Sequence, residues 1–76
     1  MNKEETFSKK FGGFIAMKRN EMGLTQEGLS FKCGLHRTYI GMIERGERNI
    51  TLLNVMKLAN AFDMPLSKMF KEYEQY

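Results

Sequence analysis

The chain has 76 residues, of which 42% are hydrophobic, and a formal net charge of +3. This length suffices for one small domain, and no apolar run approaches the roughly 18 residues that cross a bilayer. The start MNKEETFSKK lacks the apolar segment of a secretory signal, so we expect a cytoplasmic protein with no membrane partner.

Residues able to form a metal site or a catalytic centre are scarce. Cys33 is the only cysteine and His36 the only histidine, whereas a structural zinc site needs about four such ligands. There is no phosphate-binding glycine loop and no nucleophile paired with a base. We therefore predict that the chain is not an enzyme, needs no cofactor or metal, and binds no small molecule. Cys33 ends an amphipathic segment and is interpreted as a core residue.

A first amphipathic helix is predicted because apolar residues recur at helical spacing at Phe7, Phe11, Phe14, Ile15 and Met22. Thr6 or Ser8 could cap its start, and Gly23 ends it. Gly12 and Gly13 each lower helix propensity by about 1 kcal/mol relative to alanine. They either weaken this helix or mark the close approach of a neighbouring backbone.

The next two helices are predicted to form a helix-turn-helix over about residues 25–45. Thr25 can cap the first of them, whose inward residues are Leu29 and Cys33. Gly34 supplies the positive φ that a sharp turn requires, and Leu35 anchors that turn to the core. The second begins at about His36, has core-spaced residues Tyr39, Ile40 and Ile43, and ends at Gly46.

Two further helices complete the predicted fold. Thr51 caps the fourth, whose apolar content is Leu52, Val55, Met56, Leu58, Ala59 and Phe62. Pro65 opens a fifth over about residues 65–73. No window shows the alternation of a strand. Residues 1–76 are therefore predicted to be a single all-α, five-helix domain.

The third helix is the predicted reader of a DNA groove. Arg37 in its first turn can bridge guanine O6 and N7, and Thr38 can contact a thymine methyl group or a phosphate. Tyr39 could be a core wall, a phosphate donor or both, and we favour the phosphate role. Gln26 begins the helix that crosses the sugar-phosphate backbone and could help to hold a phosphate.

The loop after the third helix carries further candidates. Arg45, Arg48 and Asn49 could grip phosphates or reach a minor-groove edge. Glu47 weakens this basic patch and is interpreted as a solvated charge. Glu44 is different, because it lies on the inward side and could form a structural ion pair with Arg19.

Three segments together resemble the lambda-repressor-like, Xre-type helix-turn-helix regulators. They are R-x-x-x-G-L-T-Q from Arg19 to Gln26, G-L-x-R-T-Y-I from Gly34 to Ile40, and I-E-R-G from Ile43 to Gly46. The R-T-Y-I segment with E-R-G-x-R-N at Glu44 to Asn49 is most similar to the controller proteins of restriction-modification systems.

This resemblance implies a homodimer that activates or represses transcription from palindromic operators, with RNA polymerase as a further partner. The resemblance implies DNA contacts for six of the predicted residues, and the full set of predicted DNA-binding residues is Gln26, His36, Arg37, Thr38, Tyr39, Met42, Arg45, Arg48 and Asn49. Gly41 departs from the family, which commonly has a serine there, and His36 stands where an acid is frequent. The operator sequence is therefore not transferable.

A dimer also follows from the small number of bases that one such module can contact. The predicted interface is on the fifth helix, at Met64, Leu66, Met69, Phe70 and Tyr73. A phage-type repressor or an antitoxin-type autorepressor would use the same DNA-binding surface. A protein-interaction module on the same fold is the alternative of a different class.

Overall fold

Five helices make up the computed structural model, which describes residues 2–76. They are α1 (Lys3–Glu21), α2 (Gln26–Cys33), α3 (Arg37–Glu44), α4 (Leu52–Ala61) and α5 (Leu66–Gln75). Helix α1 packs against α3, α2 packs against both α3 and α4, and α4 packs against α5. All regular structure within residues 2–76 is helical, which confirms the predicted fold class. In the same residues, no helix has the length and apolarity needed to cross a membrane.

The predicted caps of α2 and α4 are present. The Thr25 hydroxyl accepts a hydrogen bond from the Gly28 amide at 2.9 Å, and the Thr51 hydroxyl accepts one from the Asn54 amide at 3.1 Å. Each cap pairs one of the amides that the first turn of a helix leaves without a backbone partner. These two side chains therefore fix where α2 and α4 begin.

The start of α1 differs from the prediction. The cap is Asn2, whose side chain accepts a hydrogen bond from the Glu5 amide at 2.8 Å. Thr6 and Ser8 lie inside the helix, and the Thr6 hydroxyl donates to the Asn2 carbonyl. The prediction of a cap at Thr6 or Ser8 is thus wrong, because asparagine caps a helix at least as well and the acidic first turn suits its positive end.

Helix α2 ends at Gly34, which has φ = +76° and donates its amide to the Ser30 carbonyl at 2.9 Å. Only glycine takes this left-handed conformation without a steric penalty. The chain then turns within Leu35 and His36 and enters α3, as predicted. The His36 Nδ1 accepts a hydrogen bond from the Thr38 amide at 3.0 Å and caps the new helix.

The core lies between the five helices, each of which contributes buried side chains. Its fully buried large side chains are Phe14, Ile15, Leu29, Ile40, Ile43, Leu58 and Met69. Cys33 and Leu35 are also buried, as predicted, and burial raises the pKa of the Cys33 thiol. A thiol with a raised pKa is a poor nucleophile. Phe7 and Met22 are more exposed than the first-helix pattern suggested, at 50% and 38%.

Two residues predicted for the dimer interface belong to this core instead. Met64 is 8% exposed and Met69 is fully buried, so neither side chain has the free surface that a partner needs. Met69 lies on the face of α5 that covers the core. Leu66, Phe70 and Tyr73 are half-buried against the same core and retain part of their surface.

Helix α1 comes into direct backbone contact with the end of α3 at Gly12. A Cβ atom on Gly12 would lie 2.1 Å from the Ile43 carbonyl oxygen and 2.8 Å from that of Glu44. A glycine is therefore required by the spacing of the two helices. The sequence offered two interpretations of the glycine pair, a weakened helix or a close backbone approach. At Gly12 the structure shows the close approach.

Candidate nucleic-acid interface

The start of α3 is presented to solvent. His36, Arg37 and Thr38 are exposed, and the Arg37 guanidinium forms no ion pair or hydrogen bond with another residue of 2–76. In helix-turn-helix proteins, the first residues of the second helix contact base edges. Five free N–H donors on a helix in that position can bind a guanine edge or a phosphate.

Tyr39 has both a structural and a polar environment. Its ring packs against the core, and its hydroxyl oxygen accepts a hydrogen bond from the Asn54 side chain of α4 at 3.1 Å. The hydroxyl proton is still available to donate to a phosphate oxygen. The structure thus shows the core-wall role, and it leaves the phosphate role geometrically open.

Met42 and Arg48 come together beside the exposed face of α3. The Arg48 Nε lies 3.5 Å from the Met42 sulfur, so the loop arginine folds back onto the helix. On the far side of the same loop, the Ser8 hydroxyl donates a hydrogen bond to the Asn49 side chain at 3.4 Å. The loop that carries Arg48 and Asn49 is therefore in contact with both α3 and α1.

A part-buried network lies beneath this surface. Two hydrogen bonds join Arg19 to Glu44, from Nε to Oε2 at 2.7 Å and from Nη2 to Oε1 at 3.1 Å. Their side chains are only 14% and 8% exposed. The hydrogen bond from Arg19 to Glu44 raises the pKa of Arg19 above its already high value. A third donor on Arg19, Nη1, satisfies the Leu24 carbonyl at 2.8 Å.

Gln26 belongs partly to this network. Its Nε2 donates to Glu44 Oε1 at 3.0 Å, and the side chain is half-buried. The sequence interpretation assigned Gln26 to phosphate anchoring alone. The structure adds a structural bond, which holds the first residue of α2 against the end of α3 and fixes the angle at which the two helices meet the same surface.

Arg45 and Glu47 form a second arginine-carboxylate pair, on the surface. Arg45 Nε donates to Glu47 Oε2 at 2.9 Å and Nη2 donates to Oε1 at 3.2 Å. The hydrogen bond from Arg45 lowers the pKa of Glu47. Glu47 is exposed, as the sequence interpretation had it, but its charge is paired.

Gly41 provides the space into which the Arg45 guanidinium extends. A Cβ atom on Gly41 would lie 3.1 Å from Arg45 Nη1 and 3.6 Å from Gln26 Oε1. The side chains of Arg45 and Gln26 therefore converge over a bare stretch of α3. This arrangement depends on the absence of a side chain at Gly41.

Phe31 is an exposed residue that the sequence reasoning missed. Its side chain is 87% exposed on the outer face of α2. It lines a shallow depression of about 590 Å³ together with Glu27, Ser30, Gly34, Leu35, His36 and Arg37. The available signal was its spacing, since Phe31 lies between the inward residues Leu29 and Cys33 and so falls on the opposite side of the helix.

The exposed face of α4 was also missed. Leu52, Leu53 and Met56 are 71%, 56% and 41% exposed, and their spacing places them on one side of the helix. The sequence interpretation counted Leu52 and Met56 in the apolar content of the fourth helix and did not separate exposed from buried residues. Contiguous exposed apolar surface of this kind is typical of an interaction site.

Comparisons with known proteins agree with this geometry. The helix-turn-helix family model HTH_3 matches residues 15–69. The control protein C.BamHI of Bacillus amyloliquefaciens is 47% identical over 45 residues, which cover 59% of this chain and 56% of that protein. The chain thus spans little more than half the length of that relative.

Two solved structures are similar over most of the chain. The restriction-modification controller protein C.AhdI from Aeromonas hydrophila is 43% identical, with a TM-score of 0.81 over 86% of this chain and 98% of that one. The controller protein C.Esp1396I, solved as a tetramer with its natural 35 base-pair operator, is 29% identical. Its TM-score is 0.85 over 99% of this chain and 95% of that one.

Proposed function

The chain belongs to the helix-turn-helix family HTH_3, and from this premise we propose that it is a sequence-specific DNA-binding regulator of transcription. The observation that carries the proposal is the exposed, unpaired Arg37 at the start of α3, within a fold shared with an operator-bound controller protein. We propose a restriction-modification controller in particular, because C.BamHI and C.AhdI are proteins of that kind. The activity is binding and not catalysis, and the site of action is the cytoplasm.

Sequence reading is assigned to the exposed face of α3. Arg37 donates two parallel hydrogen bonds to guanine O6 and N7, and Thr38 contacts a neighbouring base or phosphate. Met42 lies one turn further along this face and offers its side chain to a thymine methyl group. His36 caps the helix and keeps Arg37 in its first turn.

Phosphate contacts are assigned to the groups around this face. Tyr39 donates its hydroxyl proton, while Arg45, Arg48 and Asn49 approach the backbone from the end of α3 and the following loop. Gln26 acts from the start of α2, where unpaired backbone amides also favour an anion. These contacts set the position of α3 on the duplex and carry no sequence information themselves.

Dimerisation is assigned to the apolar surface that the monomer leaves exposed. This surface comprises the α4 face Leu52, Leu53 and Met56 and the uncovered parts of Leu66, Phe70 and Tyr73 on α5. A symmetric dimer reads two half-sites separated by about 34 Å or a multiple, so we expect its operator to be palindromic. Leu53→Lys should shift the mass measured by light scattering from dimer to monomer and weaken operator binding. Lys71→Glu, an exposed change outside this surface, is the control.

RNA polymerase is the proposed partner for activation. A regulator that recruits polymerase needs an exposed protein-binding surface close to its DNA-binding face, and Phe31 meets that requirement beside His36 and Arg37. Phe31→Ser should lower transcription in a purified system and leave operator affinity unchanged, because Phe31 is not among the residues assigned to DNA contact.

The proposal is tested by selecting bound sequences from random duplex DNA at a stated salt concentration. We expect a palindromic consensus. On that operator Arg37→Ala should cost about 1–3 kcal/mol and relax base preference, while Arg48→Ala should weaken all sequences more evenly. Lys71→Ala is the matched control, because it removes one positive charge away from the interface. Equal losses on operator and random duplex for Arg37→Ala would contradict base reading.

The alternatives separate by observation. A phage-type repressor or an antitoxin-type autorepressor would also select an operator, and its neighbouring genes would be those of a phage or a toxin instead of an endonuclease and a methyltransferase. A protein-interaction module would select no DNA sequence, and Arg37→Ala would leave its activity unchanged.

A further inference from the structure

Glu47 is an acidic residue on a surface to which we have assigned phosphate contacts. By charge alone, an acid between Arg45 and Arg48 should weaken binding to a polyanion. The structure gives it a defined partner, since both carboxylate oxygens accept hydrogen bonds from the Arg45 guanidinium, at 2.9 Å and 3.2 Å. A two-point contact of this type fixes the orientation of a guanidinium as well as its position.

The backbone holds Glu47 in place for this contact. Gly46 has φ = +75°, and its amide donates to the Ile43 carbonyl at 3.0 Å. The Glu47 amide donates to the Met42 carbonyl at 2.9 Å, so the turn is closed by two bonds to the last turn of α3. A Cβ on Gly46 would lie 2.8 Å from the Lys9 Cα, which shows that α1 packs directly against the turn.

The orientation of Arg45 follows from this clamp. Its Nε and one Nη2 donor form hydrogen bonds with Glu47, and the Nη1 donors have no hydrogen-bond partner among residues 2–76. Nη1 lies 3.1 Å from the point where a Gly41 side chain would begin, and Gln26 Oε1 lies 3.6 Å from the same point. The free edge of the guanidinium is therefore directed towards the start of α2.

The start of α2 has backbone donors that a phosphate could use. The amides of Gln26 and Glu27 precede the one that Thr25 caps, so they have no partner within α2. The first helix of a helix-turn-helix crosses the sugar-phosphate backbone. The Arg45 Nη1 donors thus lie close to the side chain of Gln26, the first residue of the helix that crosses that backbone.

We propose that Glu47 is a positioning residue for DNA binding: it holds the Arg45 guanidinium over Gly41 so that Nη1 donates to an operator phosphate at the start of α2. This rests on the proposed function. An arginine already held in its binding orientation loses less side-chain freedom on association. The corresponding gain in operator affinity is about three- to tenfold for one ordered side chain.

The two possible roles of Glu47 predict opposite changes in DNA affinity when its side chain is removed. Loss of an acid should tighten binding to all DNA if Glu47 acts only through its charge. Loss of a positioning residue for a phosphate contact should weaken binding about three- to tenfold, to operator and random duplex alike. Affinities of Glu47→Ala for both duplexes are measured by fluorescence anisotropy over a range of salt concentrations. We expect weaker operator binding, and a salt slope reduced by about one, as for loss of one phosphate contact.

Three further variants make the result specific. Glu4→Ala is the matched control, because Glu4 is an exposed acid beside the same loop and forms no ion pair within residues 2–76. It should tighten both duplexes slightly. In an Arg45→Ala background, Glu47→Ala should no longer weaken operator binding. Glu47→Gln, which can accept only one of the two hydrogen bonds, should fall between wild type and Glu47→Ala.

The outcomes separate the two proposals. Tighter operator binding by Glu47→Ala, or an equal loss in the presence and absence of the Arg45 side chain, would overturn the positioning role while the proposed function stands. A wild-type chain that selects no DNA sequence would overturn the proposed function and the positioning role with it. Circular dichroism melting of each variant confirms that the fold is intact.

Discussion

Two arginine-carboxylate pairs lie near the end of α3 and have nearly the same geometry. Arg19 and Glu44 are joined at 2.7 Å, and Arg45 and Glu47 at 2.9 Å. In both pairs the guanidinium uses its Nε and one terminal nitrogen. The environments differ, because the side chains of the first pair are 14% and 8% exposed and those of the second are 57% and 53% exposed.

Solvent exposure assigns different roles to the two pairs. Removing one partner of a buried pair leaves an uncompensated charge and is strongly destabilising, whereas an exposed pair contributes little to stability. The Arg19–Glu44 pair joins α1 to α3, and its Glu44 carboxylate also accepts a hydrogen bond from the Gln26 side chain. The Arg45–Glu47 pair joins no two helices. Its partners are therefore free to act on a ligand.

The largest expected effect is from Glu44→Ala. The change leaves the Arg19 guanidinium poorly solvated and unpaired and removes the acceptor of Gln26, so the free energy of unfolding should fall by about 3–5 kcal/mol. Urea denaturation measures it. Glu44→Gln, which keeps hydrogen-bonding capacity, should lose less. Glu47→Ala is the matched control and should change the urea midpoint only slightly, because its pair is exposed. Equal midpoints for the two alanine variants would remove the distinction between the pairs.

Gly12→Ala should have the next largest effect. A Cβ at this position would collide with the Ile43 and Glu44 carbonyl oxygens and push α1 away from the end of α3. We expect a loss of about 1–3 kcal/mol in the free energy of unfolding, despite the better helix propensity of alanine.

Gly13→Ala is the neighbouring control for that change. Its Cβ would meet the Tyr76 hydroxyl at 2.8 Å, which is the far end of a side chain that can move. The helix propensity of alanine should then dominate, and stability should be unchanged or higher by up to about 1 kcal/mol. Destabilisation of the same size at both positions would argue against a specific backbone contact at Gly12.

Gln26→Ala should have an intermediate effect on both stability and binding. The loss of its hydrogen bond to Glu44 should cost about 1 kcal/mol of unfolding free energy, and operator affinity should also fall. Thr38→Ala provides the contrast, because the Thr38 side chain is exposed on α3, and it should lower operator affinity alone. Thermal melting and anisotropy titration on the same samples measure the two quantities. If the Gln26→Ala variant had wild-type stability, Gln26 would contribute to DNA binding and not to the stability of the fold.

The smallest expected effect is on acidification. Hydrogen bonds from Lys18 and Arg45 lower the pKa values of Glu72 and Glu47, respectively. A carboxylate whose pKa is lower in the folded state stabilises the fold above its unfolded-state pKa, and this contribution disappears as the pH falls through the folded-state pKa. Tm should therefore decrease slightly below about pH 4. In Glu72→Gln, Tm should decrease less steeply on acidification. A Tm profile identical to that of wild type would show that the Lys18–Glu72 contact does not cause the decrease.

Local signals predicted most of the fold. Thr25, Thr51 and Gly34 act through bonds and backbone angles within a few residues, so the sequence alone indicated where α2 and α4 begin and where α2 ends. The start of α1 was missed for a similar reason, because Thr6, Ser8 and Asn2 are all competent caps. The structure selects Asn2, which places the acidic residues Glu4 and Glu5 in the first turn.

The division between core and exposed surface was harder to predict. Met69 and Leu53 are both apolar residues on amphipathic helices, yet one is fully buried and the other is 56% exposed. Their burial depends on which helices pack together. The Arg45–Glu47 contact was missed because Glu47 looks like a solvated charge until the turn at Gly46 brings it back over α3. The exposed start of α3, in contrast, followed from motif spacing alone.

Helix α3 packs against α1 through a backbone contact at Gly12, and this contact does not involve the side chains that α3 presents to solvent. Main-chain atoms set the distance between α1 and α3. We therefore expect that the side chains at Arg37, Thr38 and Met42 can be exchanged without changing how α3 packs against α1. Retargeting to a new recognition sequence should therefore be achievable through these three positions, with thermal stability close to that of the parent chain.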